Sequence, residues 1–83
     1  MADPRTIERL RWRARRGMKE LDVLLARWLD ARAAAASPAE LEAFARLLAR
    51  EDTELWPWML GRSSPEDAEL QALVGQIRSS DRA

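Results

Sequence analysis

The chain has 83 residues and a formal net charge of zero, with 14 basic and 14 acidic residues. Because domains span roughly 50 to 250 residues, a chain of this length forms a single domain, residues 1–83, with a modest core. It contains no cysteine, histidine or tyrosine, and Lys19 is its only lysine. The usual zinc, copper and iron–sulfur sites, disulfides and histidine-based nucleophile pairs are therefore excluded, and we expect no enzyme activity.

Hydropathy indicates where the protein is located, and the distribution of charge indicates how it can meet a partner. No apolar stretch approaches the roughly 20 residues of a membrane span, and the basic N-terminal region lacks the apolar segment of a secretory signal. We therefore expect a cytoplasmic protein that does not enter a membrane. Residues 1–32 hold nine basic and five acidic residues, a balance of +4, so residues 33–83 carry −4. Such asymmetry can orient an encounter with a partner.

The first predicted helix spans about residues 6–16, where Ile7, Leu10 and Ala14 recur at helical spacing. Gly17 follows, at a position where a left-handed residue commonly ends a helix, so we expect a sharp corner there. The second helix covers about residues 18–34 and ends in an alanine-rich stretch that has little to bury and should fray. Its strong core-facing stripe consists of Leu21, Leu24, Leu25, Trp28 and Leu29.

The third helix, about residues 38–50, has a clear start. Ser37 is the expected N-cap, Pro38 occupies the first helical position, and Glu40 completes a capping box. Its apolar side carries Leu41, Phe44, Ala45, Leu47 and Leu48.

The fourth helix, about residues 53–60, is short. Asp52 or Thr53 can cap its start and Gly61 ends it. If Thr53 is the N-cap, Pro57 lies at the fourth helical position, where the missing N–H costs little.

Ser64 and Pro65 repeat the cap-then-proline pattern and open a fifth helix, about residues 65–79. No strand pattern competes with these five helices, and no heptad repeat lasts long enough for a coiled coil. The predicted fold is therefore all-α, a compact five-helix bundle.

The tryptophans differ in their expected environments. Trp28 lies on the core stripe of the second helix, and Trp58 is most simply a core residue beside Leu55. Trp12 falls off the apolar line of its helix, which leaves it either partly exposed at a partner surface or packed on the fold. Trp56, next to a proline, can pack on either side.

Charge is densest at the predicted corner, in the run R-R-G-M-K-E-L-D at residues 15–22. A glycine there allows a sharp turn and leaves backbone exposed, while Arg16 and Glu20 can flank it as an orienting pair. The same run is also typical of a solvated turn whose charges only complement two helix dipoles.

Trp12 precedes this run, and the segments D-T-E-L-W-P-W-M-L and D-A-E-L follow it. Together these segments resemble the small bacterial and mitochondrial succinate dehydrogenase assembly factors, also termed FAD assembly factors. The family's hallmark, Arg-Gly-x-x-Glu, is present as Arg16, Gly17 and Glu20. The resemblance covers most of the chain. Pro57 departs from it, because relatives carry a polar residue there, and we carry no role onto this proline.

The resemblance implies a protein that binds the flavoprotein subunit of succinate dehydrogenase, and the related fumarate reductase subunit, and promotes covalent FAD attachment to a partner histidine. The residues it assigns to partner contact are Arg16, Gly17, Glu20, Asp22, Arg9 and Trp12. Because the chain lacks the side chains that usually hold flavin covalently, we expect no stably bound cofactor. It would act on the FAD of its partner.

Other functions remain as alternatives. Six arginines between positions 5 and 16 suggest nucleic-acid binding through phosphate contacts, although the neutral charge and the lack of a recognisable DNA- or RNA-binding motif argue against it. An antitoxin-like protein that binds a toxin or a cytoskeletal partner is a second alternative. An acid–base enzyme using Glu20 and Asp22 is disfavoured, because a convex corner cannot exclude water.

Overall fold

The computed structural model describes residues 3–80, apart from the side chain of Ser80. Within these residues the chain forms five α-helices and no strand, which confirms the predicted all-α fold. The helices are α1 (Pro4–Arg13), α2 (Lys19–Arg32), α3 (Pro38–Leu48), α4 (Asp52–Met59) and α5 (Ala68–Ser80). No helix of this part of the chain combines the length and the apolarity that crossing a membrane requires.

The core forms where α5 packs against α2, α3 and α4, with α1 lying across α2 and α3. At its centre the rings of Trp28 and Phe44 stack in parallel with their centroids 4.5 Å apart. Trp28 and Trp58 are buried, as predicted, and Trp56 packs against the core while remaining partly exposed. Stacked aromatic pairs of this kind stabilise a small core beyond the apolar area that they bury.

The helix α1 begins and ends earlier than its apolar spacing indicates. The Asp3 side chain accepts a hydrogen bond from the backbone N–H of Arg5 at 2.9 Å and caps the start, with Pro4 in the first turn. The helix ends at Arg13, and residues 14–18 leave helical geometry before α2 begins at Lys19.

The alanine-rich end of α2 does not fray as expected. Ala33–Ala35 forms a 3-10 turn that continues the helix, and Ala33 and Ala36 are buried in the core. Because their side chains are small, α1 can approach the backbone closely at this point, so the alanines contribute packing after all.

Local capping places the start of α3 as predicted. The backbone N–H of Glu40 donates to the Ser37 hydroxyl at 3.1 Å, and the backbone N–H of Ser37 donates to the Glu40 carboxylate at 3.0 Å. These two bonds are the predicted capping box.

The helix α4 starts at Asp52, with Glu51 at the N-cap, so Pro57 lies at the sixth helical position instead of the fourth. There the proline removes an N–H that would otherwise bond to the carbonyl of Thr53. The helix ends at Met59, and Gly61 terminates it as predicted: its φ of +76° accompanies a bond from the N–H of Arg62 to the Pro57 carbonyl at 2.9 Å.

The helix α5 starts three residues later than the Ser64–Pro65 pattern predicts. The carbonyl of Asp67 accepts the first intrahelical bond, from Gln71 at 2.9 Å, and its carboxylate accepts from the backbone N–H of Glu69 at 2.8 Å. Asp67 is therefore the N-cap residue. Pro65 is buried, and its carbonyl accepts from the Gln71 amide at 2.7 Å.

Candidate functional site

We call residues 14–18, which join α1 to α2, the elbow. Gly17 lies at its tip with a φ of +86°, a conformation that favours glycine strongly over other residues. A Cβ atom built on this glycine would have no other heavy atom within 4 Å, apart from its chain neighbours. The backbone at the tip of the elbow is therefore open to an approaching surface.

Arg16, next to this glycine, is directed into the fold, and its side chain is only 16% exposed. Its Nε donates to the Asp52 carboxylate at 2.6 Å. Its Nη1 donates to the carbonyl of Leu48 at 2.7 Å, and its Nη2 donates to the carbonyl of Arg50 at 2.6 Å. These carbonyls lie at the carboxyl end of α3, where a cation is favoured. The guanidinium thus ties the elbow to both α3 and α4.

Asp22, in the first turn of α2, holds the elbow from the other side. One carboxylate oxygen accepts from the backbone N–H of Arg16 at 2.8 Å, and the other accepts from that of Gly17 at 3.3 Å. Carboxylate-assisted bonds to backbone N–H groups are stronger than neutral ones, so the elbow is fixed at both residues.

Glu20 lies in the first turn of α2 and is exposed. The orienting pair of Arg16 and Glu20 suggested by their spacing is not formed, because the described ion pair of Arg16 is with Asp52. The carboxyl end of α3 and Asp52 together offer more acceptors than Glu20 could, and Arg16 turns toward them. Glu20 consequently presents its carboxylate to solvent beside Gly17.

Trp12 and Arg9 lie on the face of α1 that points away from the core. They are three positions apart and so share one side of the helix. Trp12 is 69% exposed, so it lies at the surface and is not packed on the fold. The guanidinium carbon of Arg15 lies 5.4 Å from its ring centroid, within range of a cation–π contact. An exposed tryptophan therefore stands immediately beside the elbow.

Two hollows flank the exposed side of α2. The larger, about 640 Å³, lies between α1 and α2 and is lined by Gly17 among others; we call it the α1–α2 groove. The smaller, about 470 Å³, is lined by Glu20 and Trp56 among others. Lys19 and Val23 line both hollows and form the ridge between them.

The predicted site residues have different environments. Gly17, Glu20, Arg9 and Trp12 are exposed, whereas Arg16 and Asp22 are partly buried and bonded to the fold.

Several neighbours of the site were not predicted. The exposure of Val23 could have been predicted, because this apolar residue lies outside the core stripe of α2. In the structure it is 40% exposed. Asp52 opens the segment D-T-E-L-W-P-W-M-L, but its bond to Arg16 could not be predicted, because the two residues lie 36 positions apart.

The arginines of α1 are less available than the sequence suggests. Arg11 forms an ion pair with Asp30 of α2 at 2.7 Å, and Arg13 donates to the carbonyl of Ala45 at 3.1 Å. Together with Arg16, three of the six arginines between positions 5 and 16 therefore bind within the fold. A phosphate-binding surface needs free cations, so this arrangement gives the nucleic-acid alternative no support.

Comparison with known proteins agrees with the resemblance carried by residues 12–22, 52–60 and 67–70. The profile of a family described as "Flavinator of succinate dehydrogenase" matches residues 8–81. The chain is 47% identical over 79 residues to the "FAD assembly factor SdhE" of Xylella fastidiosa (strain 9a5c), covering 95% of this chain and 81% of that protein. A protein of the same name from Coxiella burnetii is 36% identical over 78 residues, or 94% and 95% of the two chains. One from Pseudomonas aeruginosa is 39% identical over 77 residues, or 93% and 92%. This chain therefore belongs to the family of flavinators of succinate dehydrogenase.

Proposed function

We propose that this chain is an assembly factor that binds the flavoprotein subunit of succinate dehydrogenase and promotes the covalent attachment of FAD to it. Family membership supports the general role, since the relatives at 36–47% identity are named FAD assembly factors. The observation that carries the proposal for this chain is the elbow, where the family's hallmark motif presents an open backbone at Gly17. Binding to the flavoprotein of fumarate reductase is the natural extension, because the two subunits are related.

The residues of the motif divide into two roles. Gly17 and Glu20, with Arg9 and Trp12 beside them, provide the surface that contacts the flavoprotein, since these four are exposed. Arg16 and Asp22 are positioning residues, because their donors and acceptors are engaged inside the chain. A rigid contact surface loses less conformational entropy on binding than a mobile one, and so binds more tightly.

The chain contributes orientation to the reaction. Without cysteine, histidine or tyrosine it lacks the usual side chains for carrying flavin covalently, and the flavin itself supplies the electrophile. Docking of the elbow near the flavin site holds the partner in the arrangement where its acceptor histidine faces the isoalloxazine ring. Fixing two reacting groups in this way lowers the barrier without any reactive group on the helper.

Co-expression tests this proposal. The flavoprotein subunit is produced in cells that lack the chain, and either wild type or a variant is supplied from a plasmid. Covalent flavin is then measured by in-gel fluorescence. Gly17→Arg and Glu20→Ala should lower it by about tenfold or more, because each alters the centre of the contact surface. Arg62→Glu, an exposed residue beyond α4, is the control and should leave labelling unchanged. Undiminished labelling with both Gly17→Arg and Glu20→Ala would defeat the proposal.

A further inference from the structure

The α1–α2 groove has an apolar floor that nothing in the described chain covers. Ala14, Ala26 and Leu29 line its base, and the small side chains of the two alanines leave the space open. Val23 also lines the groove, and with 40% of its surface exposed it adds apolar area that a partner can cover. The groove can therefore accept an apolar side chain from outside.

The rim of the groove is basic. Arg15 and Lys19 are exposed on it, whereas the third cation, Arg11, is paired with Asp30. Asp22 also lines the groove, but both its oxygens accept backbone N–H bonds from the elbow. Asp22 keeps its negative charge, so the four charged residues of the lining (Arg11, Arg15, Lys19 and Asp22) leave a net charge of +1 once Arg11 is offset by Asp30. This excess of positive charge lies beside the apolar floor.

The groove is continuous with the elbow. Gly17 lines it, and Arg15 connects its rim to the exposed ring of Trp12. A segment lying in the groove would pass over the open backbone at Gly17, where the absence of a side chain permits close approach. The α1–α2 groove, Gly17 and Trp12 thus form one continuous surface.

We propose that the α1–α2 groove binds an acidic segment of the flavoprotein subunit that bears an apolar side chain of about leucine size. The apolar side chain lies against Val23 and Ala26, and a carboxylate next to it meets Arg15 and Lys19. Charge complementarity of this kind sets register and specificity, while the buried apolar contact supplies affinity. This inference rests on the proposed function, since it names the part of the partner that the same surface recognises.

Photo-crosslinking identifies the occupant. The photoreactive residue p-benzoylphenylalanine replaces Val23, the chain is mixed with purified flavoprotein subunit and irradiated, and crosslinked peptides are sequenced by mass spectrometry. Leu60, exposed on a different part of the surface, receives the same probe as a control. We expect the Val23 probe to capture a flavoprotein peptide with at least two carboxylates near a leucine, isoleucine, methionine or phenylalanine. Capture of a basic peptide, or only of a second copy of this chain, would overturn the inference.

Affinity measurements separate this inference from the proposed function. Lys19→Glu and Val23→Glu should each weaken binding to the flavoprotein subunit by about tenfold, and Lys19→Glu should also reduce the dependence on salt. Arg62→Glu makes the same change in net charge as Lys19→Glu, but elsewhere on the surface, and should bind as wild type does. If wild type itself does not bind, the proposed function fails. If wild type binds, Gly17→Arg does not, and both groove variants bind normally, only the groove assignment fails.

Discussion

At Gly17 a single backbone angle limits which residues the elbow can hold. The φ of +86° strains other L-residues, and the open space around the position means that a small side chain meets no steric clash. Gly17→Ala should therefore lower the free energy of unfolding by about 1–2 kcal/mol through the backbone alone. Gly17→Asn should cost less, because asparagine adopts left-handed conformations more readily. Urea unfolding measures both, and an alanine variant as stable as wild type would contradict this account of the elbow.

Arg16 and Asp52 provide a second test at the residue scale, because one lies in the motif and the other far from it in sequence. If Arg16 acts by holding the elbow, Asp52→Ala should weaken binding of the flavoprotein subunit in the same direction as Arg16→Ala. We expect a loss of roughly tenfold for Arg16→Ala, or about 1.4 kcal/mol, and a smaller loss for Asp52→Ala.

Affinity for these variants is measured well below their unfolding midpoints, so that a loss of folded protein does not contribute. Glu54→Ala is the matched control: it removes another ion pair of α4, with Arg50, and leaves the elbow bonds in place. Wild-type affinity in Asp52→Ala would contradict a role for the Arg16–Asp52 bond in holding the elbow for binding.

At the scale of single helices, the two later cap-and-proline patterns have different outcomes. Ser37 with Glu40 forms its capping box, whereas Ser64 lies outside α5 and Asp67 caps that helix. Asp67→Ala should therefore lower the free energy of unfolding by about 1 kcal/mol or more, and Ser64→Ala by less than about 0.5 kcal/mol. Thermal or urea unfolding measures both free-energy changes. An effect of Ser64→Ala as large as that of Asp67→Ala would show that α5 starts earlier.

Asp67 also binds Arg46 of α3, with the carboxylate oxygen 2.6 Å from the guanidinium. Asp67→Asn retains a capping oxygen and removes the charge, so it separates the cap from the ion pair. We expect Asp67→Asn to be more stable than Asp67→Ala, because exposed ion pairs contribute little.

The helices could be predicted where their ends depend on neighbours in sequence. Capping by Ser37 and the left-handed glycine after α4 are local, and both predictions are confirmed. The spacing places the end of α1 too late, because the elbow is tied to α3 and α4 by Arg16. It places the start of α5 too early, because Asp67 and not Ser64 caps that helix. Contacts across tens of positions leave no periodic trace in a single sequence.

For the whole molecule, the carboxylates predict how stability depends on pH. The backbone N–H of Glu69 and then Arg46 lower the pKa of Asp67. The hydrogen bond from Arg50 lowers the pKa of Glu54, and that from the Ser37 backbone lowers the pKa of Glu40. Groups with a lowered pKa in the folded state stabilise it above the ordinary carboxyl pKa of about 4, and this contribution is lost as pH falls through the folded-state pKa.

The unfolding midpoint should therefore change little between about pH 6 and 8, where the chain has no histidine to titrate, and fall below about pH 5. Circular dichroism melting curves across this range provide the measurement. The double variant Glu40→Gln, Asp67→Asn should show a shallower fall on acidification. A midpoint that rises on acidification would mean that these carboxylates are not stabilised as the structure indicates.

The site as a whole was only partly predictable. The motif at Arg16, Gly17 and Glu20 was recognised by resemblance, and the exposure of Gly17 and Glu20 agrees with the expected corner. The inward turn of Arg16 was not predicted, because it depends on where α3 ends in space. The α1–α2 groove likewise could not be predicted, because its shape depends on how the two helices cross. The sequence indicated only that Val23 lies outside the core stripe of α2.

Reconstitution with purified components tests the central claim most directly. Flavoprotein subunit lacking covalent flavin is mixed with FAD and either wild-type chain or folded Gly17→Arg chain, and covalent flavin is followed over time by fluorescence of the denatured subunit. We expect wild type to accelerate attachment and Gly17→Arg to leave the rate unchanged. Equal rates with wild type, with the variant and without any added chain would contradict this expectation.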